Sequence, residues 1–116
     1  MNATERDYYT IEAIELMPQA SQRELAKYMG MALGKVNYCL KELAQKGWIT
    51  NQKVRRSNGK WANAYQLTPT GYAEKAGLVE QFLIFKKAEL EKLQAEIHRA
   101  EQALHSQWVW SSVSKQ

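Results

Sequence analysis

The feature that most constrains the fold is a stretch from Gly71 to about His105 that contains no proline and has its only glycines in its first turns. Apolar residues recur along it at alternating spacings of four and three residues, which is typical of a helix that packs against another helix. Such a helix extends roughly 50 Å at about 1.5 Å per residue, so a domain of this size cannot cover it. The predicted seam has two interleaved series, Val79, Lys86, Leu93 and Ala100 in one and Leu83, Leu90, Ile97 and Leu104 in the other.

This seam requires a partner, and the simplest partner is the same helix of a second copy of the chain. The sequence therefore predicts a homodimer that forms through a coiled coil. Lys86 interrupts one apolar series, which weakens packing there but can define the register of the two helices. Parallel and antiparallel pairing both remain open, and the alternative is a single helix that folds back over its own domain.

The residues before the long helix contain the signals of three shorter helices. Thr4 and Asp7 have the spacing of a capping box, in which two side chains bind backbone amides at a helix start. The same spacing recurs at Ser21 and Glu24, and Gly30 is suited to end the helix that begins there. The predicted helices span residues 5–17, 22–29 and 33–46, and their predicted core contains Leu25, Ala26, Val36, Leu40 and Leu43.

After Gly47 the hydrophobic period changes from helical to alternating, which predicts two antiparallel strands around Asn58-Gly59. Asn-Gly supplies the positive φ angles that a tight hairpin turn requires. Thr68 then fits as the cap of the long helix, with Pro69 at its first position. The predicted fold class is α+β but mostly α, a winged helix-turn-helix domain with a two-stranded wing followed by a long C-terminal helix.

The predicted division of the chain follows from these elements. We expect a winged helix-turn-helix domain over residues 1–70, a dimerisation helix over residues 71–107 and a tail over residues 108–116 that frays from Ser111. We found no role for Trp108 and Trp110 beyond packing at the end of the dimer seam. The start of the chain lacks the basic-then-apolar order of a signal peptide, and no apolar run approaches about 20 residues. We therefore expect a cytoplasmic protein with no membrane partner.

Charge is unevenly distributed along the chain, whose net charge is +4. Between Arg23 and Lys60 there are nine basic and only two acidic residues, whereas from Pro69 onward basic and acidic residues balance. A basic block beside a neutral segment is the electrostatic pattern of a domain that binds a polyanion. The alternative is a solvated surface without a nucleic-acid partner.

The residues that would support catalysis or a cofactor are scarce. Asp7 is the only aspartate, so no triad that contains Asp and no site rich in carboxylates is evident. Cys39 is the only cysteine, which excludes an internal disulfide; we expect it to fill the core, with a redox switch activated by Lys35 and Lys41 as the alternative. His98 and His105 are seven residues apart, too far for one metal ion held by a single helix. We therefore predict no enzyme, no cofactor and no metal site.

Three segments resemble a known family. They are Ser-Gln-Arg-Glu-Leu-Ala from Ser21, Leu-Gly-Lys-Val-Asn-Tyr-Cys-Leu-Lys from Leu33, and Leu-Thr-Pro-Thr-Gly from Leu67. Together they resemble the MarR-type winged helix-turn-helix family, and most of all its short members, the EPS-associated transcriptional regulators. The resemblance extends over roughly residues 8–105. It implies contact with double-stranded DNA through the third helix and the wing, and regulation of exopolysaccharide genes.

Carried over by position, the resemblance implies a set of DNA-binding residues. Asn37 can form a bidentate pair with adenine, and Lys35 or Lys41 can reach guanine or phosphate. Residues of the wing would contact phosphates or the minor groove, and the free amides at the start of the second helix suit a phosphate. The predicted contacts are Leu33, Gly34, Lys35, Asn37, Tyr38 and Lys41 in the recognition helix, Arg55, Arg56, Ser57, Asn58 and Lys60 in the wing, and Ser21, Gln22 and Arg23 in the second helix.

The chain departs from the family in two respects. Ala32 occupies the cap of the third helix, where many helix-turn-helix proteins have Ser or Thr, so one side-chain contact to phosphate is missing. Its N-terminal helix is short, whereas larger MarR proteins hold a small-molecule pocket between terminal helices, so a small-molecule effector remains unknown. The sequence predicts a sequence-specific, homodimeric regulator of transcription. The alternative is a non-catalytic winged helix that docks another protein.

Overall fold

The computed structural model describes residues 1–114 and confirms the predicted winged helix-turn-helix fold. Among these residues no helix is long and apolar enough to cross a membrane. The order of elements along the chain is α1 (Ala3–Leu16), α2 (Gln22–Met29), α3 (Leu33–Gln45), β1 (Ile49–Arg55), β2 (Trp61–Leu67) and α4 (Pro69–Ser114).

The start of α1 differs from the prediction. The cap is Asn2, whose Oδ1 accepts a hydrogen bond of 2.8 Å from the amide of Glu5, so the helix begins two residues earlier than expected. Asn is among the strongest N-cap residues, and here it takes the position that we assigned to Thr4. Thr4 lies inside the first turn instead, with its hydroxyl 3.5 Å from Oε1 of Gln81.

The helix-turn-helix pair follows the prediction closely. Ser21 and Glu24 form both hydrogen bonds of a capping box at the start of α2. Gly30 ends α2 with a φ of 65°, a left-handed conformation that glycine adopts without a steric cost. Ala32 is the cap of α3 and makes no side-chain hydrogen bond there, as predicted.

The core lies between α1, α2, α3 and the base of the hairpin. All five residues predicted for the core are buried, and Leu25, Val36 and Leu43 have no exposed surface. The sequence-based core was incomplete, because the residues that complete it come from α1, the connection from α1 to α2, the strands and the first turns of α4. These further core residues are Ile11, Ala13, Ile14, Ala20, Ile49, Tyr65 and Leu78.

The wing is an antiparallel hairpin whose register runs from the pair Ile49–Leu67 to the pair Arg55–Trp61. The prediction that Asn58 and Gly59 both adopt positive φ was wrong, because Gly59, with a φ of 81°, is the only one that does so. The loop is longer than a two-residue turn: the amide of Arg56 donates to the carbonyl of Lys60 at 2.8 Å, which encloses three residues. A loop of three residues needs a left-handed conformation only at its last position.

The junction between the wing and α4 depends on a close backbone approach. Oγ1 of Thr68 accepts a hydrogen bond of 2.9 Å from the amide of Gly71, which confirms the predicted cap. The amide of Thr68 in turn donates to the carbonyl oxygen of Trp48 at 2.9 Å. Gly71 is buried, and a Cβ atom at this position would overlap that same carbonyl oxygen. The glycine is therefore required by contact rather than by backbone conformation.

The chain divides into two compact units, of which the first runs from Met1 to Phe82. This unit includes the first turns of α4, because Leu78 is buried in the core and the ring of Phe82 stacks on Tyr8 with centroids 3.8 Å apart. The division of the chain after residue 70 stays a prediction.

The second unit begins at Leu83 and consists of the rest of α4. The helix continues to Ser114, so the prediction of a helix end at residue 107 and a frayed tail from Ser111 was wrong within the described residues. No proline or glycine interrupts this segment, so nothing in its sequence stops the helix. The last two residues of the predicted tail, 115 and 116, lie outside the described part of the chain.

Candidate nucleic-acid interface

Helix α3 has one buried face and one exposed face. Val36, Cys39, Leu40 and Leu43 lie on the buried face at helical spacing. The opposite face carries five of the six predicted contacts of the recognition helix as exposed residues, and the sixth, Asn37, is half-buried. The exposed residues are Leu33, Gly34, Lys35, Tyr38 and Lys41.

Arg6 of α1 lies beside this face, which sequence reasoning missed. Its guanidinium carbon is 5.8 Å from the ring centroid of Tyr38, within the range of a cation–π contact. Tyr38 itself remains 57% exposed. No local signal could have identified this pair, because its two residues are far apart in the sequence and meet only through the packing of α1 on α3.

The start of α2 is occupied by contacts within the protein. The amide of Glu24 donates to Oγ of Ser21 at 3.1 Å, so this amide already has a partner. The side-chain amide of Gln22 donates to the hydroxyl of Tyr65 at 3.1 Å, which ties α2 to β2. Of the three predicted contacts at this helix start, only Arg23 is exposed; Ser21 and Gln22 are half-buried.

The tip of the wing contains four exposed predicted contacts and one that turns inward. Oδ1 of Asn58 accepts a hydrogen bond of 3.0 Å from the amide of Lys60, which shapes the loop. Nε of Arg55 donates to the carbonyl oxygen of Gly59 at 3.3 Å. Arg56 differs from them, because its guanidinium contacts the carbonyl oxygen of Gln19 and the carboxylate of Glu24. The exposed contacts are Arg55, Ser57, Asn58 and Lys60.

One side of the hairpin carries polar residues that we did not predict as contacts. Trp61 pairs with Arg55 across the strands, is 66% exposed, and has its ring centroid 5.6 Å from the guanidinium carbon of that arginine. Two pairs along, on the same face, Nζ of Lys53 donates to Oδ1 of Asn63 at 2.8 Å. Residues opposite each other in a sheet share a face, so the alternating period of the strands was the signal that could have found them.

An ion pair between a buried carboxylate and an exposed ammonium group joins α1 to the end of α3. Asp7 is 5% exposed, and its Oδ2 lies 3.4 Å from Nζ of Lys46, whose ammonium also sits 5.0 Å from the ring centroid of Trp48. Burial raises the pKa of Asp7, and the attraction of Lys46 lowers it by less. Lys46 is the C-cap of α3, where a cation also stabilises the negative end of the helix dipole.

Cys39 is a core residue, as expected, with 1% of its surface exposed. Burial raises the pKa of its thiol, and the cation that opposes this rise is Arg6 rather than a lysine of α3. The alternative prediction, in which Lys35 and Lys41 lower the pKa of the thiol, was therefore wrong. The reason is geometric: the two lysines lie on the exposed face of α3, and the thiol lies on the buried face.

Comparison with known proteins agrees with this geometry. Residues 10–50 match the family model of winged helix-turn-helix DNA-binding domains, which covers the second half of α1 and all of α2 and α3. No protein with a curated description matches the sequence of the chain.

Several solved structures of transcriptional regulators share the fold. The regulator BldR from Sulfolobus solfataricus superimposes with a TM-score of 0.56 at 20% identity, over 78% of this chain and 60% of that chain. The G34K mutant of MepR from S. aureus has a TM-score of 0.55 at 16% identity, over 91% and 77% of the two chains. A MarR family transcription regulator has a TM-score of 0.51 at 19% identity, over 96% and 74%. Residues 10–50 therefore match the family model of winged helix-turn-helix DNA-binding domains, and the chain shares its fold with a solved MarR family regulator.

Proposed function

We propose that this protein is a sequence-specific regulator of transcription that binds duplex DNA as a homodimer. In this proposal α3 enters the major groove and the wing contacts phosphates or the minor groove. The observation that carries the proposal is the exposed face of α3, which presents Lys35, Tyr38 and Lys41 to solvent while the opposite face anchors the helix in the core.

The chemistry of this face suits base recognition. The side-chain amide of Asn37 can donate to and accept from one adenine edge at once, and each lysine can donate to guanine or to phosphate. Lys35 and Lys41 have no ion-pair partner within residues 1–114, so their charges are not neutralised by the protein. The wing tip adds two further exposed basic residues, Arg55 and Lys60.

The homodimer is proposed from the exposed seam of α4. From Leu83 onward, its large residues at heptad positions are about half exposed or more: Leu83 47%, Leu90 52%, Leu93 52%, Ile97 49% and Leu104 66%. Apolar side chains exposed at a regular heptad spacing along an isolated helix are costly in water and are stabilised by a second helix. A second copy of the chain supplies that helix with the same spacing.

The DNA-binding proposal is tested by fluorescence anisotropy on the DNA upstream of the protein's own gene, with a scrambled duplex as competitor, at two salt concentrations. We expect tighter binding to the natural sequence and a steep loss of affinity with salt, because several phosphates release counterions. Equal and weak binding to both duplexes would contradict the proposal and favour a protein-docking module.

Two substitutions on α3 separate base reading from charge. Asn37→Ala is expected to weaken binding to the preferred sequence by about 1–3 kcal/mol per half-site and to reduce discrimination at one base pair. Lys35→Ala is the comparison: loss of a phosphate contact weakens binding to all sequences alike and lowers the salt dependence, whereas loss of a guanine contact reduces discrimination at one base pair. If both variants lost affinity uniformly across sequences, α3 would not be the base-reading element.

The dimer is tested by sedimentation equilibrium of Ile97→Glu, which places a carboxylate in the proposed seam. We expect the variant to be monomeric at concentrations where the wild type is dimeric, because pairing would bury two unpaired charges. Gln102→Glu is the matched control, since Gln102 is exposed on α4 outside the heptad series. A dimeric Ile97→Glu protein, or a monomeric wild type, would contradict the seam.

The target genes are proposed from the resemblance to EPS-associated regulators alone. If that resemblance holds, a bound sequence lies upstream of an exopolysaccharide gene cluster. Genomic footprinting of the protein in its own cells tests this, and footprints confined to unrelated genes would refute this target without affecting the proposal of DNA binding.

A further inference from the structure

The side chain of Arg56 turns away from the wing tip and towards the body of the domain. Its Nη2 donates a hydrogen bond to the carbonyl oxygen of Gln19 and lies 3.4 Å from Oε1 of Glu24. Its own amide donates to the carbonyl oxygen of Lys60, which closes the loop of the wing. The same residue therefore shapes the loop through its backbone and ties the loop to the domain through its side chain.

The capping box of α2 holds the side chain of Glu24 beside Arg56. Its Oε1 accepts a hydrogen bond of 3.3 Å from the amide of Ser21, and its own amide donates to Oγ of Ser21. These hydrogen bonds and the one from Arg56 lower the pKa of Glu24, so the carboxylate is charged at neutral pH. One carboxylate oxygen thus joins the start of α2 to the base of the wing loop.

Apart from the contact between Arg56 and Glu24, one side-chain hydrogen bond connects α2 to the hairpin within the described residues, the one from Gln22 to Tyr65. Tyr65 lies near the base of β2, paired with Asn51, whereas Arg56 lies beyond the last strand pair, at the loop. A two-stranded hairpin is marginally stable by itself. Its outer end is therefore the part of the wing that most needs a contact with the domain.

We propose that Arg56 is a positioning residue that holds the wing loop against α2 in its DNA-binding orientation, and that it does not bind phosphate. We call Arg56, Glu24 and the carbonyl group of Gln19 the wing clamp. The inference rests on the proposed function, since the orientation matters only if the wing contacts DNA. A loop that is ordered before binding loses less conformational entropy when it binds, so the clamp raises the affinity of its neighbours Asn58 and Lys60 for the duplex.

The opposite assignment, Arg56 as a phosphate ligand restrained by Glu24, makes the opposite prediction for one substitution. Glu24→Gln keeps the side-chain hydrogen bond of a capping box, in which Gln can replace Glu. It removes the charge that holds Arg56. If Arg56 is a phosphate ligand, this change frees its side chain for DNA and strengthens binding. If Arg56 is a clamp, the change loosens the wing loop and weakens binding of the protein to DNA.

A double-mutant cycle removes the general effect of deleting a negative charge near DNA. Anisotropy is measured for wild type, Glu24→Gln, Arg56→Gln and the double variant on the preferred duplex. The clamp predicts that Glu24→Gln lowers affinity, relative to its effect in the Arg56→Gln background, by about threefold, as for an exposed charge pair. If Glu24→Gln instead raised affinity relative to its effect in the Arg56→Gln background, the proposal would be overturned.

The salt dependence of binding gives a second readout that a loss of structure alone would not change. Arg56→Gln is expected to weaken binding about fivefold and to leave the slope of log affinity against log salt unchanged. A lost phosphate contact would instead reduce that slope by about 0.9 for each contact, which would overturn the clamp. Arg99→Gln on α4 is the matched control for loss of an arginine outside the proposed interface.

A measurement without DNA separates failure of the clamp from failure of the proposed function. Amide hydrogen exchange of the free protein is followed for Arg56 and for the two loop amides with backbone or side-chain acceptors, Gly59 and Lys60. Arg56→Gln should accelerate exchange of these amides severalfold, while exchange in α3 stays as in the wild type. Unchanged exchange in the wing of Arg56→Gln refutes the clamp. If Arg56→Gln shows the acceleration but the wild type does not bind DNA, only the proposed function is refuted.

Discussion

The contact between Gly71 and the backbone of Trp48 leads to a prediction in which one methyl group has opposite effects at two positions of the same helix. At Gly71 a Cβ atom would overlap the carbonyl oxygen of Trp48 and lie 2.9 Å from Cδ2 of Leu67 and 3.0 Å from the carbonyl carbon of Trp48. At Gly77, further along α4, no atom lies within 4 Å of the same added Cβ. Both glycines are helical, so the gain in helix propensity is shared.

The magnitude follows from three contributions. Replacement of a helical glycine by alanine stabilises a helix by up to about 1 kcal/mol. Overpacking against backbone that cannot move freely costs roughly 1–3 kcal/mol, and displacement of the Trp48 carbonyl weakens its hydrogen bond from Thr68, which is worth about 1 kcal/mol. We expect Gly71→Ala to lower the free energy of unfolding by about 2 kcal/mol and Gly77→Ala to raise it by roughly 0.5–1 kcal/mol.

The assay is urea unfolding followed by circular dichroism, with all three proteins at one concentration because a dimer gains apparent stability with concentration. With a slope of about 2 kcal/mol per molar urea, the midpoint of Gly71→Ala should fall by roughly 1 M while that of Gly77→Ala rises. Equal midpoints for Gly71→Ala and the wild type would refute the close approach between α4 and the chain at Trp48.

Three further predictions concern the ends and the interior of the domain. Asn2→Ala should cost about 1 kcal/mol of unfolding free energy in urea, whereas Thr4→Ala should cost much less, because Asn2 caps α1; a larger loss for Thr4→Ala would contradict this cap. Since the pKa of Asp7 is raised above 3.8 by burial, the folded state binds its proton more tightly, so its contribution to stability is present below that value and is lost as pH rises through the raised pKa. The unfolding free energy of the wild type should therefore fall relative to that of Asp7→Asn as pH increases through this range. If the unfolding free energy of the wild type instead rose relative to that of Asp7→Asn, the attraction of Lys46 would outweigh burial. Cys39 should react with a thiol reagent far more slowly in the native protein than in urea, because it is buried and the pKa of its thiol is raised; equal rates would mean that the native thiol is accessible.

The local elements of this protein were largely determined by its sequence. The capping box at Ser21, the stop at Gly30 and the cap at Thr68 each depend on residues within a few positions of one another. Short-range hydrogen bonds and the helical or alternating period of apolar residues suffice for such features. The same local reasoning misplaced the cap of α1, where two polar residues two positions apart compete, and the turn of the wing, where loop length decides which residue adopts positive φ.

The tertiary structure decided which predicted residues face outward and which are already engaged. Arg55 and Arg56 are neighbours with the same chemistry, yet one contacts the ring of Trp61 at the surface and the other binds Glu24 of α2. Their sequence positions could not distinguish them, because the acceptors of Arg56 lie more than thirty residues away.

The tertiary structure also decided which ionisable groups are buried in the interior. The pKa values of Asp7 and Cys39 depend on how much of each group the packing of α1 on α3 removes from water, which no local pattern encodes. Gly71 stands between the two cases: its helical position was readable from the sequence, but the reason for a glycine there is the carbonyl of Trp48. Periodicity and caps depend on residues that are neighbours in the sequence. Burial and the hydrogen bonds or ion pairs between distant residues depend on segments that meet only after folding.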